Sequence, residues 1–496
     1  MAERYIIVLD QGSSGSRASA LDQYGNSVLV SRKNISAAYG RGGRAEYEAE
    51  DLWRTQYDSL REVLDGLPAS GTVSGIAITT QRSTVALWDK INGKALAPVM
   101  SWQDGRSAGM PRKKQLTQEK VKSITGLYDT PYYSAPKIMW ALHYLPEVKK
   151  AAGQGTLMAG PVGTYILWRL SRGKAFFTDP SLAQRTLLMD INGQNWSETM
   201  LESFGVPKDI LPEIRPSSGI FAETEICGRN IPVAAMLGDQ QAAMLGLGVT
   251  EKGEAALNYG TGAFLMVNTG NEIADIPGLI TSFGWKSGPH AAGTRYFSES
   301  TVNSAGTAME WLKERFGFFK EIREVDDACR ASRHRLLCLP ALGGIGAPYW
   351  DFSAYTTFTG LSASSDKNDI VRGVTEGIAF MLADSLDRIA EKGYRPETLR
   401  ASGGLSKIDY LMQFQADLTG AEIKVMKDKE ATTYGAGRAA ADALGINWPR
   451  GKDIPEKTFS PSTGKEERDR LLRGWRDFVC ITRDASAKMR ALRMIS

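Results

Sequence analysis

The sequence predicts an α/β protein of two related domains, and three observations carry that prediction. The first is Tyr5-Ile6-Ile7-Val8-Leu9-Asp10-Gln11-Gly12-Ser13-Ser14-Gly15-Ser16-Arg17. An apolar, β-branched run ends in an acid, breaks into a turn of glycines and hydroxyls, and resumes as Arg17-Ala18-Ser19-Ala20-Leu21, which is the pattern of a hairpin. The second is a copy of the plan half a chain later: Ala255-Ala256-Leu257-Asn258-Tyr259-Gly260-Thr261-Gly262-Ala263-Phe264-Leu265-Met266-Val267. The third is length, because 496 residues exceed what one hydrophobic core usually holds and suit two substantial domains. A strand–turn–strand unit opening each half marks an internal duplication.

The elements follow in order. Strands are expected at residues 5–9, 17–21, 27–34, 73–79 and 85–89, with Asn92-Gly93 forming a tight turn after the last. Residues 50–64 carry helical apolar spacing (Leu52, Trp53, Tyr57, Leu60, Val63, Leu64) and stop at Gly66-Leu67-Pro68. Residues 232–237 read as a short strand ending at Gly238-Asp239, and 240–247 as a helix of small residues. The domain boundary is placed just beyond it, giving domains 1–248 and 249–496. The second half repeats the pattern and ends in a charged helix over 466–495.

Bulk properties exclude several classes of function. Net charge of +4 with dispersed Lys and Arg offers no footprint for nucleic acid or an anionic membrane. Apolar runs stop well short of a membrane span, and the N-terminus enters a strand without a signal peptide, so the cytoplasm is the expected location. Four cysteines (Cys227, Cys329, Cys338, Cys480) lack the pairing of a zinc site or a disulfide framework. His143, in the helical stretch 138–145, His290, and His334, between two arginines, read as surface or satisfied residues. Chemistry therefore falls to carboxylates, hydroxyls and arginines.

Four constellations supply such groups. The first hairpin tip offers backbone N–H groups, Ser13, Ser14 and Arg17 to a phosphate, with Asp10 placed to hold Mg²⁺; a plain hairpin would look the same. It is no Walker loop, since G-x-x-x-x-G-K-[ST] is missing. Gln81-Arg82-Ser83-Thr84 ends a strand and precedes Ser101-Trp102-Gln103-Asp104. An Arg fork and a Trp face can grip a small polyhydroxyl compound, or Arg82 can simply pair with a surface acid. Asp239 stands at a strand-to-helix junction, where it is either an N-cap or a carboxylate that accepts a hydroxyl proton during attack on phosphorus. Ser402-Gly403-Gly404 permits close backbone approach to a ring or phosphate, or forms a simple turn.

Together these residues resemble the FGGY carbohydrate kinases, and among them most closely the glycerol kinases. The matches run along the chain in order: Leu9-Asp10-Gln11-Gly12, Gln81-Arg82, Ser101-Trp102-Gln103, Pro131-Tyr132-Tyr133-Ser134, Gly238-Asp239-Gln240-Gln241-Ala242-Ala243, Asn258-Tyr259-Gly260-Thr261-Gly262-Ala263-Phe264, Gly346-Ala347-Pro348-Tyr349-Trp350-Asp351 and Gly403-Gly404. The resemblance implies two actin-like (ribonuclease H-like) domains with a nucleotide cleft between them, ATP and Mg²⁺ as cofactors, and phosphorylation of a terminal hydroxyl of glycerol or a related polyol or sugar.

Carried over residue by residue, it implies Asp239 as general base and Asp10 as the metal-site acid. Arg82, Ser83, Trp102, Tyr132, Asp239, Gln240 and Phe264 would line the polyol pocket. Ser13, Ser14, Arg17, Gly260, Thr261, Gly306, Glu310, Gly403 and Gly404 would meet the nucleotide. The alternatives are a xylulose or ribulose kinase, which Gln81-Arg82-Ser83-Thr84 disfavours because xylulokinases usually carry Met-His-Gly there, and an actin-superfamily ATP sensor without transfer activity. The oligomer is left open, a homodimer being one state the resemblance allows.

Departures from the family shape the expected substrate. Glycerol kinases follow Gln-Arg with a glutamate that binds substrate hydroxyls, whereas Ser83 offers one shorter, neutral group and leaves room for a larger compound. Ile408 and Asp409 stand where an asparagine is usual, and Glu310 replaces a common glutamine. Residues 225–231 are shorter than the glycine-rich loop with which bacterial glycerol kinases bind a sugar-bisphosphate inhibitor, so that regulation is expected to be absent.

Overall fold

The run Tyr5-Ile6-Ile7-Val8-Leu9 is apolar at consecutive positions because it is a central strand of its sheet, buried on both faces. In this computed structural model, which describes residues 3–287, 293–427, 430–448 and 455–492, it forms the strand Arg4–Gln11. Gly15–Leu21 returns antiparallel to it, with Asp10 opposite Arg17, and Ser27–Asn34 continues the meander. On the other side Thr72–Thr80 runs parallel to Arg4–Gln11, and Arg229–Gly238 runs parallel to Thr72–Thr80. Ser218–Ile226 closes the edge of this six-stranded sheet. The turn joining it to Arg229–Gly238 is only Cys227-Gly228, both with positive φ, as a two-residue hairpin turn requires.

The second hairpin repeats the plan. Ala255–Tyr259 pairs antiparallel with Ala263–Gly270 and parallel with Thr398–Gly403, which in turn runs parallel to Glu422–Met426. The strands Ile280–Lys286, Thr294–Val302 and Pro455–Phe459 complete a seven-stranded sheet. Each central sheet thus has an antiparallel hairpin partner on one side of its first strand and, on the other, two parallel strands followed by an antiparallel edge strand, the actin-like connectivity that the duplicated hairpin predicts.

The chain divides into two compact units. One comprises residues 1–248, 282–296 and 430–451, and the other residues 249–281, 297–429 and 452–496. Each has its own apolar core. In the first, the helix Ala49–Gly66 buries Leu52, Leu60, Val63 and Leu64. In the second, the helix Lys367–Glu391 is buried along most of its length and stacks Phe380 on Trp475 at 4.9 Å.

Two helices differ from expectation at their boundaries. The helix Asp239–Gly246 begins one residue early, so Asp239 is its first residue and Gly238 is the cap. The terminal helix spans Lys465–Ala491; the last residues expected in it, 493–495, lie outside the described residues, as does His290. No helix among the described residues is long and apolar enough to cross a membrane.

Asp239–Gly246 is held in place by Ala431–Ala443 of the same unit, through glycine at the crossing. A Cβ on Gly246 would lie 1.9 Å from the Ala431 carbonyl oxygen, and one on Gly435 would lie 1.9 Å from that of Ala242. Gly246→Ala is therefore expected to force the two helices apart at a cost of about 3 kcal/mol. Differential scanning calorimetry should record a Tm lower by roughly 6–12 °C, and an unshifted Tm would contradict this packing.

Candidate active site

Three parallel strands of the first unit end side by side, and the candidate chemistry collects at their carboxyl ends. Asp10 pairs in register with Thr79, Gln11 with Thr80, and Gly238 with Thr80 from the other side. Asp10, the segment Gln81–Thr84 and Asp239 are therefore brought to one edge of the sheet, where open α/β sheets place their ligands.

Asp239 is held from behind by a chain of hydrogen bonds. Gly238 N donates to Ser181 Oγ at 2.9 Å, and that hydroxyl donates to Asp179 Oδ1 at 3.0 Å. Asp179 is fully buried and also accepts from Ser217 Oγ and from the Ser181 and Leu182 amides. Burial pushes its carboxyl up to about 6 against these donors. The Asp239 carboxylate accepts from Gln240 N at 2.7 Å and lies 3.7 Å from Arg82 Nε. Although 31 % of its side-chain surface remains accessible, desolvation raises its pKa to about 6. The Arg82 and Arg185 guanidiniums lower it, while the Asp10 charge adds to the rise.

Asp10 is raised above the ordinary carboxylate range by burial, opposed by Arg17. Arg17 Nη2 donates to Asp10 Oδ2 at 2.7 Å and to Thr433 Oγ1 at 2.6 Å, while Nη1 meets Glu430 Oε1 at 3.0 Å. The arginine is thus clamped between the hairpin's Asp10 and the distant Glu430 and Thr433. Ser13 does not stand apart as a phosphate ligand: its hydroxyl donates to Gln81 Oε1 at 3.1 Å and accepts from Trp102 Nε1 at 2.9 Å, which ties the hairpin tip to the pocket wall. Ser14 is exposed at the tip.

The pocket wall is aromatic and polar by turns. The Trp102 and Tyr132 ring centroids are 5.3 Å apart. Ser83 has φ +63°, a left-handed conformation that costs a residue with a Cβ about 1–2 kcal/mol. Its Oγ is buried and makes no hydrogen bond among the described residues, and the same holds for Gln240 Oε1. Orphaned polar atoms of this kind are costly unless a ligand supplies the missing partner. The carbonyl of Ser83 accepts from Lys137 Nζ, a fully buried ammonium.

In the second unit, the residues expected at the nucleotide converge on their own strand ends. Gly260 and Thr261 form an exposed turn; Gly306 N donates to Gly260 O at 3.1 Å, and Thr307 Oγ1 to Thr261 O at 3.0 Å. A Cβ on Gly306 would sit 2.4 Å from Gly260 O, and one on Gly403 (φ +94°) would sit 2.3 Å from Tyr259 O. These glycines let three backbone segments meet without side chains between them, leaving Gly404 exposed beside them. Glu310 lies exposed one turn along the helix Gly306–Phe316. Phe264, opposite Asn258 in the return strand, is half-buried in this unit. Ile408 is fully buried in the core and Asp409 is paired with Lys457 at 2.6 Å, which accounts for both without a nucleotide.

Some contributors carry no motif. Arg185 is buried, donates to Ser282 Oγ and bears on Asp239; its signal was a lone cation in the run Leu182–Met189. Lys137 shares a helical face with Ser134 and Ala141, all buried, in the helix Ser134–Tyr144. No group of three or more carboxylate, imidazole or thiol side chains forms a metal cage among the described residues. Mg²⁺ fits this donor set, because it is commonly held by one or two carboxylates with phosphate oxygens and water completing the octahedron.

Comparison with known proteins matches this architecture. Residues 5–246 match the N-terminal domain model of the FGGY family of carbohydrate kinases, and residues 255–444 match its C-terminal domain model. The glycerol kinase of Shewanella halifaxensis is 36 % identical over 97 % of this chain and 100 % of its own length. The crystal structure of Plasmodium falciparum glycerol kinase with ADP superposes with a TM-score of 0.90 at 28 % identity, covering 97 % of this chain and 98 % of that one. A gluconate kinase from Lactobacillus acidophilus shares the fold at a TM-score of 0.84 and 20 % identity, over 98 % of this chain and 100 % of that one.

Proposed function

The chain belongs to the FGGY family of carbohydrate kinases, and from that premise we propose that it moves the γ-phosphoryl of ATP to a terminal hydroxyl of glycerol or a related polyol, with Asp239 as general base. The observation that carries the proposal is the convergence of Asp10, Arg82 and Asp239 on one sheet edge, beside the buried, unpartnered Ser83 Oγ and Gln240 Oε1. An orphaned hydroxyl, able to donate or accept, and an orphaned amide oxygen, able to accept, next to a carboxylate suit a ligand with several adjacent hydroxyls. An indole and a phenol ring suit its carbon chain.

In this reading Asp239 accepts the proton of the attacking hydroxyl while Arg82 and the Gln240 amide hold the carboxylate in orientation. The Asp179–Ser181–Gly238 hydrogen bonds fix the backbone on which it rides. Arg17 keeps Asp10 in place, and Ser13 couples the phosphate side to the polyol side through Gln81 and Trp102. Bound Mg²⁺, held by Asp10 and phosphate oxygens, would neutralise the charge of the transferring group. Gly260, Thr261, Gly306, Gly403 and Gly404, with Ser14, are assigned to the nucleotide. The free thiols of Cys227, Cys329, Cys338 and Cys480 suit a reducing compartment, and we assign the cytoplasm.

A pH profile tests the base. A general base must be ionised, and burial raises the Asp239 carboxyl to about 6. The kcat/KM for the polyol is therefore expected to fall about tenfold per pH unit below 6. Initial rates of ADP release from pH 4.5 to 7 measure it. A profile flat down to pH 5 would remove Asp239 from this role.

A further inference from the structure

We propose that Lys137 is a positioning residue of the polyol pocket, its ammonium tying together the Ser83 and Tyr132 carbonyls and so fixing two separate wall segments; the inference rests on the kinase reading above. Lys137 is fully buried, an unusual state for a lysine unless its donors are used. Nζ donates to Tyr132 O at 2.7 Å and to Ser83 O at 3.2 Å. Ser134 Oγ, on the same helix face, donates to the same Ser83 carbonyl at 3.2 Å.

The two carbonyls belong to chain segments about fifty residues apart, and each carries a residue assigned to the substrate. Ser83 also sits in a left-handed conformation that its own side chain does not favour, so something outside it must hold the backbone there. A charged donor makes stronger hydrogen bonds to carbonyls than a neutral one. Removing it frees both segments without touching the nucleotide side. Asp104 and Arg106 are the charged groups that bear on Lys137; Asp104 is itself buried and engaged by Arg106 and by Ala45 N. Burial brings the Lys137 ammonium down to about 7, so the charge that strengthens the tie is lost as the pH rises through that value.

Steady-state kinetics on the full chain test this with glycerol, erythritol and ribitol as probes. Lys137→Met keeps the length of the side chain and removes the donor. It is expected to raise the KM of the preferred polyol at least tenfold while the KM for ATP stays within twofold and kcat at saturating polyol within threefold. A merely structural lysine would not split the parameters in this way. In the wild type, the polyol kcat/KM should decline several-fold above pH 7, a limb missing from the kcat/KM for ATP and missing from Lys137→Met. The wild-type profile stands alone should the variant not fold. An unchanged polyol KM in the folded variant, or a wild type with no alkaline limb, overturns the inference while leaving the kinase reading intact. A wild type that turns over none of the probes sinks the reading and this inference with it.

Discussion

Asp239→Asn is expected to bind ATP as the wild type does and to lose about 10²–10⁴-fold in kcat, the range typical of removing a general base. The amide keeps the shape of the carboxyl and can still accept from Gln240 N, so the backbone held by Ser181 has no reason to move. What disappears is the group able to take a proton and the partner of Arg82. Isothermal titration with a non-hydrolysable ATP analogue, beside a coupled ADP assay, separates binding from turnover. Retention of more than about a tenth of the wild-type rate would take Asp239 out of the chemistry.

Ser83→Glu is the second large effect, and it is one of specificity. The resemblance to glycerol kinases implies a glutamate at this position, and the Ser83 hydroxyl is buried without a hydrogen-bond partner among the described residues. A carboxylate there would accept charge-assisted hydrogen bonds from a small substrate and fill the space a longer one needs. Serine and glutamate both carry a Cβ, so the left-handed backbone penalises them alike. The exchange should raise kcat/KM for glycerol and lower it for ribitol, moving their ratio by about 1–3 kcal/mol, the scale of a hydrogen bond to a charged group. A ratio unchanged in a folded variant would show that position 83 does not select the substrate.

The central strands, both hairpins and the Asp239 junction were legible because their signals are local. An apolar run buried on two faces and a turn of glycines and hydroxyls announce themselves within a dozen residues. Non-local partners were not legible. Glu430 and Thr433 hold Arg17 from more than four hundred residues away, and nothing near residue 17 encodes them. Lys137 and Arg185 lie in apolar surroundings where a charge reads as an isolated surface residue until the helix face and the neighbouring carboxylate are known. The hairpin pattern and the family resemblance point Ser13 at the phosphates, and neither encodes the hydrogen bonds its hydroxyl makes with Gln81 and Trp102. The segments 282–296 and 430–451 group with the first half although they lie in the second, a long-range arrangement that no composition shift marks.

The central claim is phosphoryl transfer to a polyol hydroxyl, and a coupled ADP-release assay over a panel of glycerol, erythritol, ribitol, xylulose and ribulose tests it most directly. ³¹P NMR of the same reactions identifies the product. The account predicts that at least one polyol accelerates ADP release far above the rate with ATP alone, with a phosphomonoester formed in equal amount. ATP binding with no acceleration by any member of the panel, and no phosphomonoester, would contradict it and favour an ATP sensor without transfer activity.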